Sequence, residues 1–529
     1  MKSYDVAIVG SGFAGSILAR LLRRQGRRVL LVEKDRHPRF ALGESSTPLA
    51  GFALERLAAR YDLPDLHHLS TWGRWSRHLP RLRRGLKRGF TFYHHRRGEP
   101  YRNGPDNDAR LLVAASPSDS VADAHWLRAD VDAFLVERAA EEGVDYVDET
   151  TVDEVDLGSR GALLRARRKG GRTDFRASYL VDATGPAGLL ARALPIAREP
   201  APVSTGLLYA HFESPPPFVE IARRAGATLD AGPYPDERAA VHHLLDGGWV
   251  YALPFDHGVT SAGLVLRRET IDADAASRDP AAAWRELLAP YPTLAEQLAE
   301  ARPLSPVRFV ERLPHRLERA AGEGWFILPH AFAFYDPMFS TGIAWSLLAV
   351  ERLALIFAGV DGDAWRYDFF LRREGDRIAQ LVEAAWLAMD DFELFAAVAR
   401  LYFVTVSWAE ARQRLLPEGA PHAWEGFLGM GDPCFDDLFD DVLARLRIRQ
   451  FESFDRAAFL RRVRRGLAPR DVVGLDDPAR RNLYPVDLGV LVERAALLGL
   501  EREEVVAALP RLRGDPPWPQ NGDSSADGP

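Results

Sequence analysis

The stretch from Tyr4 to Lys34 constrains this chain most. Tyr4 to Val9 is apolar and partly β-branched, Gly10-Ser11-Gly12-Phe13-Ala14-Gly15 follows at once, and Ile17, Leu18, Leu21 and Leu22 recur at helical spacing up to Gly26. Val29 to Val32 reads as a second strand, with Glu33 at its end. Strand, glycine-rich turn, helix and second strand ending in an acid form the dinucleotide-binding βαβ unit in its expected context. The first glycine permits the tight turn, the second lets a pyrophosphate approach the backbone, and the third lets helix and strand pack closely. The helix N-terminus then faces the phosphates, and the acid accepts a hydrogen bond from a ribose hydroxyl. A glycine-rich turn without a ligand is the competing reading, and the order of the parts favours the nucleotide.

A chain of 529 residues, 47% of them hydrophobic, can bury a large core. A net charge of −7 argues against a nucleic-acid or anionic-membrane partner. No uninterrupted apolar run reaches the length of a bilayer span, and the N-terminus opens into a strand without a signal-peptide pattern, so a cytoplasmic location is expected. A single cysteine, Cys434, excludes an intrachain disulfide and reads as a buried structural thiol. The pairs His94-His95 and His242-His243 stand at no metal-ligand spacing with Cys or carboxylates, and no metal is expected. Lysine occurs only at positions 2, 34, 87 and 169, with arginine filling the other basic positions. A lysine in a loaded position therefore stands out.

Further along, Gly43-Glu44-Ser45-Ser46-Thr47-Pro48 suggests a loop closing onto a helix near Leu49, for which an ordinary helix cap is the simpler reading. Gly85-Leu86-Lys87-Arg88-Gly89-Phe90-Thr91-Phe92 alternates like a strand from Phe90. Trp126-Leu127-Arg128 leads into a helix, Tyr146 to Asp156 and Leu163 to Arg176 suggest a hairpin turning at Lys169-Gly170-Gly171, and Tyr179 to Asp182 is a strand running into a turn at Gly185. Four strand-like runs lie between 203 and 266, a helix spans 280 to 301, and Trp325 to Leu328 returns a strand. The loop Phe334 to Gly342 then opens a helix from Ile343, whose first amides suit an anion or flavin oxygens. Residues 364 to 465 are helical with aromatic faces that read as core, 484 to 509 is a further helical pair, and the tail is Ser/Asp/Gly-rich and expected to be disordered.

These residues carry a family likeness. Phe334, Pro337, Ser340 and Gly342 fit F-x-x-P-x-x-S-x-G, and Lys87, Phe90 and Phe92 fit K-x-x-[I/F]-x-F. With Gly10, Gly12, Gly15 and Glu33, the chain resembles the flavin-dependent halogenases over about residues 1 to 370, on the phenol- and pyrrole-directed side of that group. The resemblance implies that FAD, supplied reduced by a separate flavin reductase, forms a C4a-hydroperoxide that chloride or bromide attacks. Hypohalous acid then reaches Lys87, which delivers electrophilic halogen to an electron-rich small-molecule or carrier-bound aromatic. It implies FAD contacts at Gly10, Gly12, Phe13, Ala14, Gly15, Glu33, Lys34, Ser45, Arg128, Gly185, His330 and Gly342, and a halide site at the amides of Thr341 and Gly342. The family's W-x-W-x-I-P block, which separates substrate from flavin, is Trp249-Val250-Tyr251-Ala252-Leu253-Pro254 here. The glycine-aspartate pair that commonly holds the ribityl chain falls at Pro329 and His330. The glutamate of tryptophan halogenases is Phe339, so free tryptophan is not the expected substrate.

The expected architecture is α/β: an FAD-binding Rossmann-like domain of glutathione-reductase type, interleaved with a β-sheet substrate domain and followed by a helical C-terminal region. The expected divisions are 1–200 (with inserted substrate-domain elements), 201–300, 301–363, 364–515 and a tail at 516–529. Tyr251 and His330 keep two alternatives open, an FAD monooxygenase and a geranylgeranyl-reductase-like flavin reductase. A non-catalytic flavin-binding scaffold is a third.

Overall fold

The computed structural model describes residues 2–299, 301–415, 422–449 and 454–513; the tail expected to be disordered lies outside them. The first strand, Ser3–Val9, pairs in parallel with Val29–Val32 on one side and Gly171–Asp182 on the other. Asp145–Val147 and Trp325–Ile327 extend the parallel arrangement outward. Val6, Ala7 and Ile8 are wholly buried because helices cover both faces of such a sheet. The long hairpin region corrects the sequence reading. Tyr146 belongs to the separate parallel strand, and the antiparallel strands are Thr150–Gly158, Gly161–Arg168 and Gly171–Asp182. The turn at Lys169-Gly170 joins only the last two, both its residues having positive φ.

A second sheet runs Arg308–Val310, Thr205–Glu213, Val259–Arg267, Gly248–Phe255, Ala240–Leu245, Gly89–His94, Arg110–Ala114, Leu483–Tyr484. It takes strands from segments that chain order assigns to the nucleotide unit and to the C-terminal region. A separate apolar cluster backs it, including Leu208, Val250, Leu264, Trp284 and Leu294. The helix expected over 280 to 301 is two helices, Pro280–Leu288 and Pro292–Leu298, because prolines at 290 and 292 lack the amides a continuous helix needs.

The helix Thr341–Phe357 is apolar almost all round and nearly every residue in it is buried, as that composition requires. Its Arg352 forms a two-pronged ion pair with Glu374 at 2.6 and 2.7 Å, both side chains fully inaccessible. Trp345 Nε1 and the Phe427 amide donate to the same carboxylate, filling the lone pairs that a buried charge must satisfy. This locks the helix to Ala364–Ala388 and to the segment near 427. Phe392–Leu415 is, among the described residues, the one helix long and apolar enough to cross a membrane, although Glu393, Arg400 and Glu410 interrupt its apolar run. It is mostly buried inside the fold, where its Phe395, Tyr402 and Phe403 pack as core. Cys434 is half-buried.

Candidate active site

The glycine turn is shaped by contact. Gly10 has φ +105°, and a Cβ there would lie 2.3 Å from the Ala183 carbonyl oxygen; one on Gly15 would lie 2.2 Å from that of Gly10. Gly12 differs: a Cβ would meet only side-chain ends, Arg128 Nη2 at 3.4 Å, Asp132 Oδ2 at 3.8 Å and Arg39 Nη2 at 4.0 Å. Two guanidiniums thus converge over the open side of the turn, at the start of the helix Phe13–Arg24. Arg128 is held by Asp132 through paired 2.9 Å bonds and donates to the carbonyl of Leu42 at 2.7 Å, while the Phe13 amide donates to Asp132 at 3.2 Å.

Glu33 ends its strand buried, accepting from the Ser11 amide (3.1 Å), Ser11 Oγ (2.9 Å), the Asp35 amide (3.1 Å) and Arg39 Nη2 (3.0 Å). Burial alone would raise its pKa, but the Arg39 charge and these donors hold it below the usual carboxylate range. Nearby, His37 Nδ1 and Arg39 Nε are buried without a partner among the described residues. An open glycine backbone, two guanidiniums and unpaired ring and guanidine nitrogens, with a buried accepting acid beside them, suit a dinucleotide such as FAD. Ala14 lies half-buried beside them. Lys34 does not join them: its side chain is exposed and lies 3.5 Å from Asp35, a correction to the sequence expectation. Gly185 sits at φ +61° in the turn after Gly171–Asp182, with open space where a side chain would point.

The second glycine-bearing loop ends at Ser340, in left-handed conformation at φ 51°, and no side chain caps the helix that follows. The amides of Thr341 and Gly342 therefore stand in a first turn that has no helical acceptors for them. His330 faces this point: a Cβ on Gly342 would lie 2.6 Å from its Nε2, and its ring stands edge-on to Phe13 at 6.3 Å. It thereby links the two glycine motifs. Burial, then the Arg128 charge, pushes its pKa down to about 4, so the ring is neutral. Asp336 anchors the loop, accepting from the Met338 amide (2.9 Å), Trp386 Nε1 (3.0 Å) and Trp249 Nε1 (3.4 Å). Burial pushes it up to about 6 against those donors. Trp249 and Tyr251 share one face of their strand, whereas Pro254 lies on the other, so these three do not act as one wall. Tyr251 packs on Gly263, where a Cβ would come within 2.4 Å of its ring.

Lys87 is fully inaccessible at the end of the strand Arg84–Lys87 and stands opposite Asp123 across an antiparallel pair. Its Nζ donates to the Ser46 carbonyl at 2.6 Å and lies 4.0 Å from the centre of the Phe90 ring. Burial pulls the ammonium well below its ordinary value, with the Asp123 charge opposing; the same burial pushes the Asp123 carboxyl up, opposed by Lys87. Ser45 is bonded through its Oγ to Ser340 Oγ at 3.1 Å. Asp123, Asp336, Arg39, His37 and Asp132 escaped the sequence reading of the site. Asp336 lay inside the F-x-x-P loop, but nothing near Asp123 in sequence signals that strand pairing brings it to Lys87.

The glycine turn meets His330 through Phe13, and Ser45-Ser46 joins Ser340 to the buried Lys87, an arrangement suited to a dinucleotide-dependent enzyme. Residues 113–392 match the family model described as tryptophan halogenase and residues 5–195 that of FAD dependent oxidoreductases, so the chain belongs to the flavin-dependent halogenases of the tryptophan halogenase family. It is an FAD-dependent enzyme. It is 29% identical over 414 residues to monodechloroaminopyrrolnitrin halogenase PrnC of Pseudomonas fluorescens, covering 76% of this chain and 71% of that one. It is 26% identical over 416 residues to tetracycline 7-halogenase of Kitasatospora aureofaciens, covering 76% and 73%. The fold is shared with halogenase PltM in complex with phloroglucinol and FAD, at a TM-score of 0.79 and 22% identity, over 91% of this chain and 99% of that one.

Proposed function

We propose that this enzyme places chloride or bromide on an electron-rich, phenolic or pyrrolic aromatic, free or carrier-bound, and that Lys87 hands over the halogen. The observation that carries this is the run Ser45-Ser46-Thr47. Ser45 touches Ser340 at the helix start, the Ser46 carbonyl holds Lys87, and Thr47 lines a cavity on the far side. When bound and reduced, FAD supplies the oxygen-activating chemistry that oxidises a halide. Gly10, Gly12, Phe13, Ala14, Gly15, Glu33, Ser45, Arg128, Gly185, His330 and Gly342 would hold it. The Thr341 and Gly342 amides would keep a halide at a positive helix end. Asp336, clamped by Trp249 and Trp386, fixes the loop that presents those amides. Lys87, with burial favouring its neutral amine, offers a nucleophilic nitrogen, which an always-protonated arginine does not. The aromatic substrates named for the relatives support the substrate class. A single glycine fingerprint supports reduction of the flavin by a separate reductase.

The test mixes anaerobically reduced FAD enzyme with oxygen, bromide and a phenol panel, and reads products by mass spectrometry. Lys87→Ala and Lys87→Arg should each lose on the order of 10² or more in halogenated product while releasing hydrogen peroxide and retaining FAD. Parental halogenation by both variants, or oxygen in place of halogen in the parent's product, would overturn the reading.

A further inference from the structure

Beyond Lys87 lies a cavity of about 160 Å³, walled by Phe90, Phe403, Tyr402 and Val406. Phe90 meets Phe403 edge-on at 5.1 Å and Tyr402 at 6.0 Å, and it is also the ring over which the Lys87 amine sits. The Phe90 ring is thus shared by the cavity wall and the amine, and Lys87 itself does not line the cavity. Its volume is close to that of the ~150 Å³ apolar cavity known to take one benzene ring.

Three acids line the cavity, Glu55, Asp123 and Glu410. Glu55 accepts from Arg74 at 2.6 Å and from Arg414 at 3.2 Å, and Glu410 accepts from Arg414 at 2.8 Å. Asp123 differs. It is 4% exposed, and its Oδ2 has no hydrogen-bond partner among the described residues. Leaving a buried carboxylate oxygen unpaired costs free energy, so a cavity-lining acid that keeps one is arranged for a donor that arrives with the ligand.

We propose that this cavity takes a one-ring phenol and that the Asp123 Oδ2 accepts the hydrogen bond of its hydroxyl. The assignment rests on the reading of Lys87 as the delivering group, since the shared Phe90 ring and the pairing of Asp123 with Lys87 are what tie the cavity to it. Asp123 is then a specificity-determining residue. It fixes which ring edge faces the amine, and by drawing on the hydroxyl proton it raises the electron density of the ring. A polycyclic arene exceeds the space.

The test is calorimetric titration of the full-length, FAD-loaded enzyme with resorcinol and with 1,3-dimethoxybenzene, for the parent and Asp123→Asn. The parent should bind resorcinol about tenfold or more tightly than its ether, and the variant should lose about that factor for resorcinol and little for the ether. The comparison within the parent needs no variant to fold. Equal affinity of the parent for the two ligands, or parental affinity of Asp123→Asn for resorcinol, would overturn the assignment. Brominated resorcinol is assayed separately. Asp123-dependent binding without product sinks the delivery reading while supporting the cavity; product together with Asp123-independent binding does the reverse.

Discussion

The Lys87 Nζ donates to the backbone carbonyl of Ser46 across 2.6 Å, inside a region from which solvent is excluded. A main-chain acceptor has no titration of its own, so it orients the amine without fixing its charge. The residues flanking Ser46 then decide what the amine connects. On one side Ser45 reaches the helix start at Ser340, and on the other Thr47 opens into the arene-sized cavity. Three consecutive residues thus connect the helix start, the amine and the cavity.

The first prediction concerns Lys87 and Asp123 as a pair. Each pays for burial, and each charge partly offsets the other. Lys87→Met should therefore leave an ionised Asp123 uncompensated near pH 7, and Asp123→Asn should do the same to a protonated Lys87. The double variant removes both buried charges and should be at least as stable as the parent, with singles about 1–3 kcal/mol less stable than additivity from the double would require. Urea unfolding of the four proteins gives the coupling, and strictly additive effects would show that the two groups do not interact.

The glycine turn separates folding from binding. Gly10→Ala forces a side chain onto φ +105° and into the Ala183 carbonyl at 2.3 Å, so it should cost several kcal/mol or prevent folding. In Gly12→Ala the new methyl meets only the movable ends of Arg128, Asp132 and Arg39. Its thermal midpoint should stay near the parent's, while FAD affinity falls by about tenfold or more because the pyrophosphate can no longer approach the backbone. Fluorescence titration with FAD and thermal melts of both variants decide the matter; unchanged FAD affinity in Gly12→Ala would displace the nucleotide site.

How much of this was legible beforehand depended on whether the signal was local. The βαβ unit was readable because each part adjoins the next, and the loop at 334–342 because its residues sit at fixed offsets. The hairpins were misassigned because Tyr146 looks the same in a parallel strand as in an antiparallel one, and only its partner Leu31 settles which. Asp123 was invisible for a stronger reason. Its meeting with Lys87 depends on the register of two strands separated by two further strands and a short 3-10 helix, and no spacing encodes that. His330 was found only as a departure from a pattern, and its contact with Gly342 is a tertiary fact.

Asp336 gives a prediction about the loop. Two indole nitrogens and one amide converge on it. Asp336→Ala leaves buried donors unpaired and should cost about 2–4 kcal/mol, whereas Asp336→Asn keeps an acceptor and should cost less. Because the loop carries the Thr341 and Gly342 amides, halogenation should fall in Asp336→Ala while FAD still binds through the glycine turn. Chemical denaturation, FAD titration and product yield check the three parts, and parental halogenation in Asp336→Ala would remove the loop from the reaction.

The last prediction is a pH dependence of stability from the buried histidines. His95, His125, His242 and His243 are each at most 2% exposed. Burial drives the first three down to about 3 and His243 well below its ordinary value. In the unfolded chain each takes a proton near pH 6.5, whereas the folded protein resists it, so below that pH the unfolded state binds more protons. Stability from these groups is thus fully present above pH ~6.5 and lost as the pH falls, by up to ~1.4 kcal/mol per pH unit for each histidine. Asp336, raised to about 6, acts in the opposite sense between about pH 4 and 6, so a difference measurement is cleaner than the parent's profile. His243 meets His95 at 3.0 Å inside a cluster with Tyr93 and Phe218, away from Lys87. His243→Asn keeps a polar partner for His95 and removes one titrating group. Urea midpoints of the two proteins between pH 4.5 and 7.5 should converge as the pH falls, the variant's slope being shallower by about one proton. Parallel profiles would mean that His243 is protonated in the folded protein.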